Sequence, residues 1–410
     1  MNAPHQHSHA PLSLVVDETR GAGRAPPHFL APHPVERFFA ESWERSVLVI
    51  RREDPDYFRP WITLEELDIL ASSMTIPPTN FNLARGDNPL PQASYCAGNY
   101  VDKERALALH AAGATIILRA LEQWSPGLLR LRAHAEEFFG VDTQLNVYLT
   151  PPSEKSTPPH WDTHDLFVCQ IHGSKRWRLF EGARTLPLAD ERFRVDADSV
   201  GAVTAEITLH AGDTLYLPRG TIHEPVADAY SAHVSIGVFH HRWIDVVREV
   251  LQIVAAEEGS PLRRSLVDLE ALHEGPAVRE IATTMAVALA DPAILAAARA
   301  RLERRFSAAR AVDRGGRLLE TARPTPLADS TRFVRRPGVA LHTREAEAGI
   351  QLCWNDNYIS VRAPMRAAVE HIVAHPLVIP AELPGGLSVD ERTALCYALV
   401  ELGAFQALSA

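Results

Sequence analysis

The chain has few cysteines, no excess of positive charge and no long apolar run, and each shortage excludes a class of protein. Its 410 residues include four cysteines without a C-x-x-C pair, so neither a zinc knuckle nor a disulfide framework is expected. The net charge of −10 is unfavourable for a surface built globally to hold nucleic acid, although a local basic face stays open.

The same shortages bear on location. No stretch approaches about 18 uninterrupted apolar residues, so we expect no membrane span. The N-terminal residues lack a basic segment followed by an apolar run, so we expect no secretion signal. Widely spaced cysteines are typical of buried thiols in a reducing compartment, and we therefore expect a cytoplasmic protein.

The residue composition and the pattern of apolar residues change along the chain. Residues 1–30, rich in His, Pro, Ala and Gly, predict a disordered tail. Across residues 145–243, short β-rich runs alternate with Gly, Pro and Asp turns, which favours an antiparallel sandwich or barrel. From residue 244 onward the pattern is helical, and residues 277–306 are interpreted as one long helical stretch suited to dimerisation.

Two later segments have simple interpretations. The basic run at residues 301–310 contains Arg301, Arg304, Arg305 and Arg310 and is typical of a solvated helix face. Residues 326–410 mix strand-like runs with two helices, as a small winged helix does. This segment has seven basic and nine acidic residues, which makes it a poor DNA binder and favours a role in protein contacts.

A first pair of candidate metal ligands is His160 and Asp162. At positions i and i+2 of a strand, both side chains point to the same face and can grip one ion together. An H-x-D pattern alone is weak evidence, because a chain with 19 histidines produces it by chance. His164 lies on the same face and is interpreted as a neighbouring or substrate-side group.

A third candidate ligand, His223, follows a segment that reads as turn, strand, turn and strand. It enters the last strand directly after the turn at residues 218–220, a position typical of a barrel rim. Two imidazoles and one carboxylate are the ligand set expected of a mononuclear non-haem Fe(II) oxygenase, because they leave one face of the ion open.

Lys175 is the candidate anchor for a co-substrate. It lies fifteen positions after His160, past a strand and a turn at Gly173, and Cys169, Ile171 and Trp177 flank it. A buried ammonium needs an anion, and the far carboxylate of 2-oxoglutarate would supply one. The alternative, an exposed lysine in a turn, stays open.

Three more polar residues could hold the same co-substrate. Asn146 and Tyr148 alternate on one strand and therefore share a face, and both can donate hydrogen bonds to a carboxylate. Thr157, three residues before His160, could do the same. The alternative for each is that it satisfies local backbone groups.

Four stretches together resemble a known family. They are N-V-Y-L-T-P-P at 146–152, H-W-D-T-H-D-L-F-V at 160–168, Q-I-H-G-S-K-R-W at 170–177 and G-D-T-L-Y-L-P-R-G at 212–220. They look like the JmjC/cupin-4 group of 2-oxoglutarate oxygenases, and in particular its ribosomal oxygenase type, which hydroxylates ribosomal proteins.

The resemblance implies an α+β fold. It consists of a double-stranded β-helix (the jelly-roll barrel of cupin and JmjC proteins), a helical dimerisation region and a small C-terminal winged-helix domain. On this chain the implied divisions are a tail at 1–30, a catalytic domain at 31–243, a helical region at 244–325 and a winged-helix-like domain at 326–410.

The resemblance also assigns roles to residues. His160, Asp162 and His223 become the catalytic Fe(II) ligands, and Lys175 the group that holds the C5 carboxylate of 2-oxoglutarate. The implied further co-substrate contacts are Tyr148, Asn146, Thr157 and, more loosely, Ser231 and Ser235. Relatives often have Tyr at the position of His164, which leaves the substrate side open.

The implied function is hydroxylation of an aliphatic carbon in an amino-acid side chain of a protein or peptide, with a ribosomal protein as the first candidate. A homodimer is implied, and neither membrane attachment nor direct nucleic-acid binding is expected. N-methyl-lysine demethylation, hydroxylation of a biosynthetic peptide or small molecule, and a non-catalytic cupin scaffold stay open. Against the scaffold, every iron-site position is filled. The shorter G-x(5)-H-x-H pattern of other metal-binding cupins is not found.

Overall fold

The computed structural model describes most of the chain in two compact units. The described residues are 26–86, 88–152, 154–155, 158–191, 193, 200–266, 275–310, 312–322, 328–346, 349–355 and 357–408. The first unit comprises residues 1–58, 82–117 and 147–235, and the second comprises residues 59–81, 118–146 and 236–410.

The first unit is dominated by an antiparallel sheet. Its strands are β1 (Leu48–Ile50), β2 (Phe81–Arg85), β3 (Asn88–Pro89), β6 (Thr115–Leu118), β7 (Asp142–Thr150), β8 (Glu154–Lys155), β9 (Asp165–Phe180), β10 (Val203–His210), β11 (Thr214–Leu217), β12 (His223–Ala227) and β13 (Ser231–Phe239). The main path runs β1-β11-β9-β13-β7-β6-β2-β3, while β10 and β12 pair with β9, and β8 pairs with β12. A short hairpin of β4 (Cys96–Ala97) and β5 (Tyr100–Val101) and the helices α1 (Val35–Arg37) and α3 (Lys103–Ala111) complete this unit.

The long strand β9 passes from one layer of the barrel to the other. Its first half pairs with β11, from Leu166 opposite Leu217 to Cys169 opposite Thr214. Its second half pairs with β10 and β12. A strand that changes sheets in this way is a device of two-layered antiparallel folds such as the predicted jelly roll.

The predicted turn at Gly173 is wrong, because β9 continues through it. The glycine has a positive φ of 64°, and a Cβ there would lie 1.9 Å from the carbonyl oxygen of Tyr230. Only glycine fits this close approach, so Gly173 marks the change of sheet rather than a chain reversal. The predicted turn at Gly212 and Asp213 is confirmed, and it joins β10 to β11.

Apolar side chains are buried on both faces of the first half of β9, and this packing reaches further toward the N-terminus than predicted. One cluster consists of Leu166, Val168, Trp177, Leu179, Leu209, Leu215 and Leu217, and the alternating Phe167 lies on the opposite face. Phe29 and Leu30 are fully buried, and the ring of Phe29 lies 4.9 Å from that of Phe167. The predicted tail at 1–30 is therefore too long, since its last residues belong to the core; residues 1–25 lie outside the described residues.

The second unit contains most of the helices. They are α2 (Leu64–Ser72), α4 (Pro126–Phe139), α5 (Trp243–Ala256), α6 (Pro276–Ala290), α7 (Pro292–Ala309), α8 (Arg317–Ala322), α9 (Arg366–Ala374) and α10 (Val389–Glu401). Two three-stranded sheets accompany the last helices. One has the order β18-β14-β19 (Leu377–Val378, Arg332–Arg335, Phe405–Leu408), and the other β15-β16-β17 (His342–Ala346, Gly349–Trp354, Asn357–Val361). Phe333, Trp354, Ile372 and Leu399 are among the buried residues of their shared core.

The predicted continuous helix over residues 277–306 is wrong, because two helices meet at Asp291. The carboxylate of Asp291 accepts a hydrogen bond from the backbone N–H of Ala293, and Pro292 occupies the first position of α7. Proline lacks the N–H that a continuous helix needs, whereas at a helix start the missing donor has no cost.

In the part of the chain that the structure describes, no single helix has the length and apolar composition needed to cross a membrane. The pair Pro276–Ala290 and Pro292–Ser307 meets that test only together and is bent by 77°.

Candidate metal and co-substrate site

His160, Asp162 and His223 converge in the first unit. Their candidate ligand atoms all lie within 4.8 Å of one another, and no other such group of three is found among the described residues. The imidazole rings of His160 and His223 have centroids 4.5 Å apart, and Nε2 of His223 lies 3.8 Å from Oδ2 of Asp162. Separations of this size suit three ligands of one ion.

The backbone brings the two histidines together directly. Each N–H donates to the other residue's carbonyl oxygen, at 3.1 Å and 2.8 Å, which forms an isolated antiparallel bridge. The prediction that His160 and Asp162 lie on one strand is therefore wrong, since the chain leaves the bridge before Asp162. Pro158 and Pro159 precede it and lack the N–H donors that a longer ladder would use.

Each histidine has its Nδ1 atom occupied by a backbone carbonyl. Nδ1 of His160 lies 2.7 Å from the oxygen of Pro158, and Nδ1 of His223 lies 2.9 Å from the oxygen of Thr221. A carbonyl oxygen only accepts, so in the neutral rings Nδ1 carries the proton and Nε2 keeps its lone pair. The two imidazoles are thus oriented as Nε2 ligands before any ion arrives.

A tight turn fixes Asp162 beside His223. The backbone N–H of Gly220 donates to the carbonyl oxygen of Asp162 at 2.9 Å. Gly220 has φ of 86°, and a Cβ there would lie 1.7 Å from the carbonyl oxygen of Arg184. The glycine in the predicted turn at residues 218–220 is therefore required by both backbone angle and space.

The electrostatics of the site favour metal binding. Burial lowers the pKa of His223 to about 4, helped by the charge of His160, so its imidazole is neutral at physiological pH. Burial alone would raise the pKa of Asp162, but the imidazoles around it, including His164, hold that pKa below its ordinary value. Neutral imidazole and ionised carboxylate are the forms that bind a cation.

Lys175 is fully buried, so the alternative of an exposed turn lysine is excluded. Its ammonium donates a hydrogen bond of 2.9 Å to Oγ1 of Thr150 and lies 6.0 Å from the ring centre of Tyr148. No carboxylate among the described residues pairs with it. Burial lowers its pKa to about 7. An anionic ligand would offset the free-energy cost of burying this unpaired positive charge.

His233 lies beside Tyr148 and near Lys175, and the sequence analysis does not single it out. Its ring stacks on that of Tyr148, with centroids 4.7 Å apart and an angle of 4° between planes. Its Nδ1 atom is buried without a hydrogen-bond partner among the described residues, and so is Nε1 of Trp177. Burial and the charge of Lys175 hold the pKa of His233 well below its usual value, so the ring is neutral.

The other predicted co-substrate contacts occupy varied environments. Ser231 is fully buried, and its Oγ accepts a hydrogen bond of 2.8 Å from Gln170. Oδ1 of Asn146 accepts from the backbone N–H of Ala120 at 3.1 Å and from Gln144 at 2.8 Å. Asn146 therefore already satisfies local groups through its oxygen. Thr157 lies outside the described residues.

Residues 123–246 match the JmjC domain family. The chain is 31% identical to mouse ribosomal oxygenase 2 over 257 residues, which cover 59% of this chain and 55% of the relative. It is also 28% identical over 257 residues to the Drosophila yakuba protein named bifunctional lysine-specific demethylase and histidyl-hydroxylase NO66, with coverage of 58% and 36%. The chain thus spans about a third to about half of the length of these relatives.

The fold of the chain is similar to that of a solved bacterial protein. The structure of the Escherichia coli ribosomal oxygenase YcfD in complex with cobalt and 2-oxoglutarate aligns with a TM-score of 0.51 and 18% identity. The alignment covers 90% of this chain and 97% of YcfD. At this identity the likeness establishes the JmjC/cupin fold.

Proposed function

We propose that this protein is an Fe(II)- and 2-oxoglutarate-dependent oxygenase that hydroxylates an aliphatic side-chain carbon of a protein, with a ribosomal protein as the first candidate. The observation that carries the proposal is the pairing of two features in one unit. A preorganised two-histidine, one-carboxylate group occurs together with a fully buried lysine that pairs with no carboxylate of the described residues. A dicarboxylate that also ligates iron would satisfy both.

The residues fit the metal and the co-substrate on structural grounds. The Nε2 atoms of His160 and His223 are left available by their Nδ1 hydrogen bonds, and Asp162 supplies the carboxylate. Three protein ligands leave positions for a bidentate co-substrate and for O2. When bound, iron with 2-oxoglutarate and O2 supplies the oxidising power that inserts an oxygen atom into a C–H bond.

The chain's own residues would orient the co-substrate. Lys175 would bind its far carboxylate by charge, while Thr150 holds the ammonium in place. The stacked rings of Tyr148 and His233 would form an apolar wall with polar edges. We propose Asn146, Ser231 and Thr157 as further contacts, although the oxygen of Asn146 already accepts two hydrogen bonds.

The substrate class rests on the relatives. Proteins named ribosomal oxygenase are among those similar to this chain, and the test is therefore hydroxylation of ribosomal proteins. Purified enzyme with Fe(II), 2-oxoglutarate and O2 should add the mass of one oxygen atom to a peptide from a ribosomal protein and release succinate in step. His160→Ala should do neither. Succinate release by the wild type without any modified ribosomal peptide would overturn this substrate class.

Demethylation is the second candidate, because one relative is named both demethylase and hydroxylase. The same mass spectra decide between the two reactions. A methyl-lysine peptide that loses the mass of one methylene group, with no stable oxygen gain elsewhere, would favour demethylation. A small-molecule or biosynthetic-peptide substrate would leave all ribosomal peptides unchanged, and a non-catalytic scaffold would form no succinate.

We also propose a homodimer formed through a helical region at residues 244–325. Along α5, Trp243, Ile244, Val247 and Leu251 are exposed, and Trp243 is 85% exposed. Their spacing places them on one face of the helix, where apolar side chains in water are unfavourable unless a partner covers them. Sedimentation should show a dimer for the wild type and a monomer for Val247→Asp.

Two further assignments remain proposals. We propose that residues 326–410 form a winged-helix-like domain for protein contacts, beside a catalytic domain at 31–243. The shared core of α9, α10 and the two small sheets supports this division. We propose a reducing compartment such as the cytoplasm, because the cysteines are free and three of the four are buried.

A further inference from the structure

A basic groove lies between α5 and α7 in the second unit. It has a volume of about 810 Å³ and is lined by Arg248, Glu249, Gln252, Arg301, Arg304 and Arg305. The guanidinium groups are accessible: the side chains of Arg248 and Arg305 are 57% and 67% exposed, and that of Arg301 is 37% exposed. Such a volume is in the range of sites that hold a small molecule.

The charges that line the groove do not balance. Glu249 is the one carboxylate of the lining and is nearly buried; it pairs with Arg305 and lies 3.8 Å from Arg301. Arg248 lies 3.4 Å from a carboxylate oxygen of Asp245. Arg304 has no ion pair among the described residues. Four cations thus face one lining anion, in a chain whose net charge is −10.

The helix spacing makes this imbalance costly. Arg301, Arg304 and Arg305 lie at i, i+3 and i+4 of α7, where like charges on one face repel. A solvated helix face normally intersperses acids with bases, as Arg299 and Glu303 do on the same helix at 2.6 Å. The interpretation of this run as a simple solvated face therefore does not account for the cluster.

We propose that the groove is a binding site for clustered phosphate groups, carried by a free polyphosphate or by the backbone of a single-stranded RNA. Guanidinium groups bind phosphate oxygens through paired N–H donors. Each phosphate brings several acceptor oxygens, so two adjacent phosphates can satisfy the unpaired donors of one face. This site is additional to the oxygenase function and does not depend on it.

The test measures binding of both phosphate sources to the full chain in phosphate-free buffer. Calorimetry with inorganic pyrophosphate and fluorescence anisotropy with a labelled single-stranded RNA of mixed sequence are compared for wild type and variants. Arg304→Ala should weaken binding about tenfold and lower the salt dependence of RNA affinity by about one phosphate contact. Arg299→Ala, the same charge change on the same helix, should bind as the wild type does.

A loss of binding in Arg304→Ala can be distinguished from a loss of folding, and the two phosphate sources can be distinguished from each other. Arg304 makes no ion pair with any residue that the structure describes, so the circular dichroism and melting of Arg304→Ala should match the wild type. Arg248→Gln provides a second test from the other helix. RNA binding without pyrophosphate binding assigns the site to a nucleic-acid strand, and similar affinities assign it to a free anion. No binding by the wild type would overturn the proposal. Three other results would also overturn it. They are an equal loss of phosphate affinity in Arg299→Ala, binding of a hexaglutamate peptide that is tighter than binding of either phosphate ligand, and an Arg304→Ala variant that changes sedimentation but not phosphate binding.

Discussion

Replacing Lys175 by methionine should stabilise the protein and at the same time greatly weaken its affinity for 2-oxoglutarate. Burial lowers the pKa of this amine from 10.5 to about 7. In the unfolded chain the amine keeps its proton up to about pH 10.5, whereas the folded, co-substrate-free protein releases it above pH 7. Near pH 7.5 this lowered pKa therefore reduces the free energy of unfolding by about 4 kcal/mol, since one pKa unit corresponds to about 1.4 kcal/mol.

Methionine has a similar shape and no charge, so Lys175→Met should raise the free energy of unfolding by up to about 4 kcal/mol at pH 7.5. The cost to the wild type is fully present below pH 7 and disappears as pH rises toward 10.5, so the advantage of the variant should shrink above pH 7. Denaturant unfolding without co-substrate measures the first effect. Calorimetry with Fe(II) and 2-oxoglutarate under anaerobic conditions measures the second, with an expected loss of affinity of about a hundredfold or more.

Arg is the matched control, because Lys175→Arg keeps a cation and should retain part of the affinity without the gain in stability. A methionine variant that unfolds more easily than wild type at pH 7.5 and still binds 2-oxoglutarate normally would refute the reasoning. The ammonium would then be neither an uncompensated buried charge nor the anchor of the co-substrate.

Other perturbations of the site have equally definite outcomes. The dissociation constant for 2-oxoglutarate should rise about tenfold per pH unit above pH 7, because the anion binds the protonated amine, and Lys175→Arg should show no such rise. Thr150→Val removes the hydrogen bond to that ammonium and should weaken co-substrate binding about three- to tenfold without affecting iron content; unchanged affinity would make the contact incidental. Gly220→Ala should lower the free energy of unfolding by about 2 kcal/mol or more and reduce bound iron, whereas Gly98→Ala, which has positive φ but open space, should cost only about 1 kcal/mol and keep the iron. His223→Ala should retain the fold but bind no stoichiometric Fe(II) by metal analysis, and full iron occupancy in that variant would contradict the ligand assignment.

The sequence alone was sufficient for the parts of the site that depend on residue chemistry. Two imidazoles and a carboxylate imply a metal whatever the backbone does between them, and the structure brings His160, Asp162 and His223 together. The strand at residues 214–217 and the turn before it were also predictable, because alternation and Gly-Asp chemistry are local signals.

The remaining features depend on tertiary contacts that no local pattern records. Gly173 resembles a turn in sequence, but the close carbonyl of Tyr230 shows that it marks a change of sheet. His233 had only a weak signal, its alternation with Ser231 and Ser235 on one strand face. Its importance comes from stacking on Tyr148, a residue 85 positions earlier in the chain. The burial of Lys175 is likewise decided by strands that are distant in sequence.

The break between helices α6 and α7 has a local sequence signal, but the composition of the surrounding residues points to an unbroken helix. Asp291 followed by Pro292 is a helix-start pattern, yet the continuous alanine-rich composition on both sides favoured a single helix. The basic groove could not be predicted from the sequence, because its lining combines residues of α5 and α7, which are distant in the chain. It also depends on the nearly buried carboxylate of Glu249, which pairs with Arg305.

The most direct test of the central claim is an anaerobic titration of the purified protein with Fe(II) and then 2-oxoglutarate, followed by visible absorption. The site of His160, Asp162, His223 and Lys175 predicts a weak charge-transfer band that saturates at one co-substrate per iron. The same titration should give no band with His160→Ala, and with Lys175→Met a band only at much higher 2-oxoglutarate. A wild-type protein that binds iron but shows no band at saturating 2-oxoglutarate, or a His160→Ala variant that shows the full band, would contradict the account.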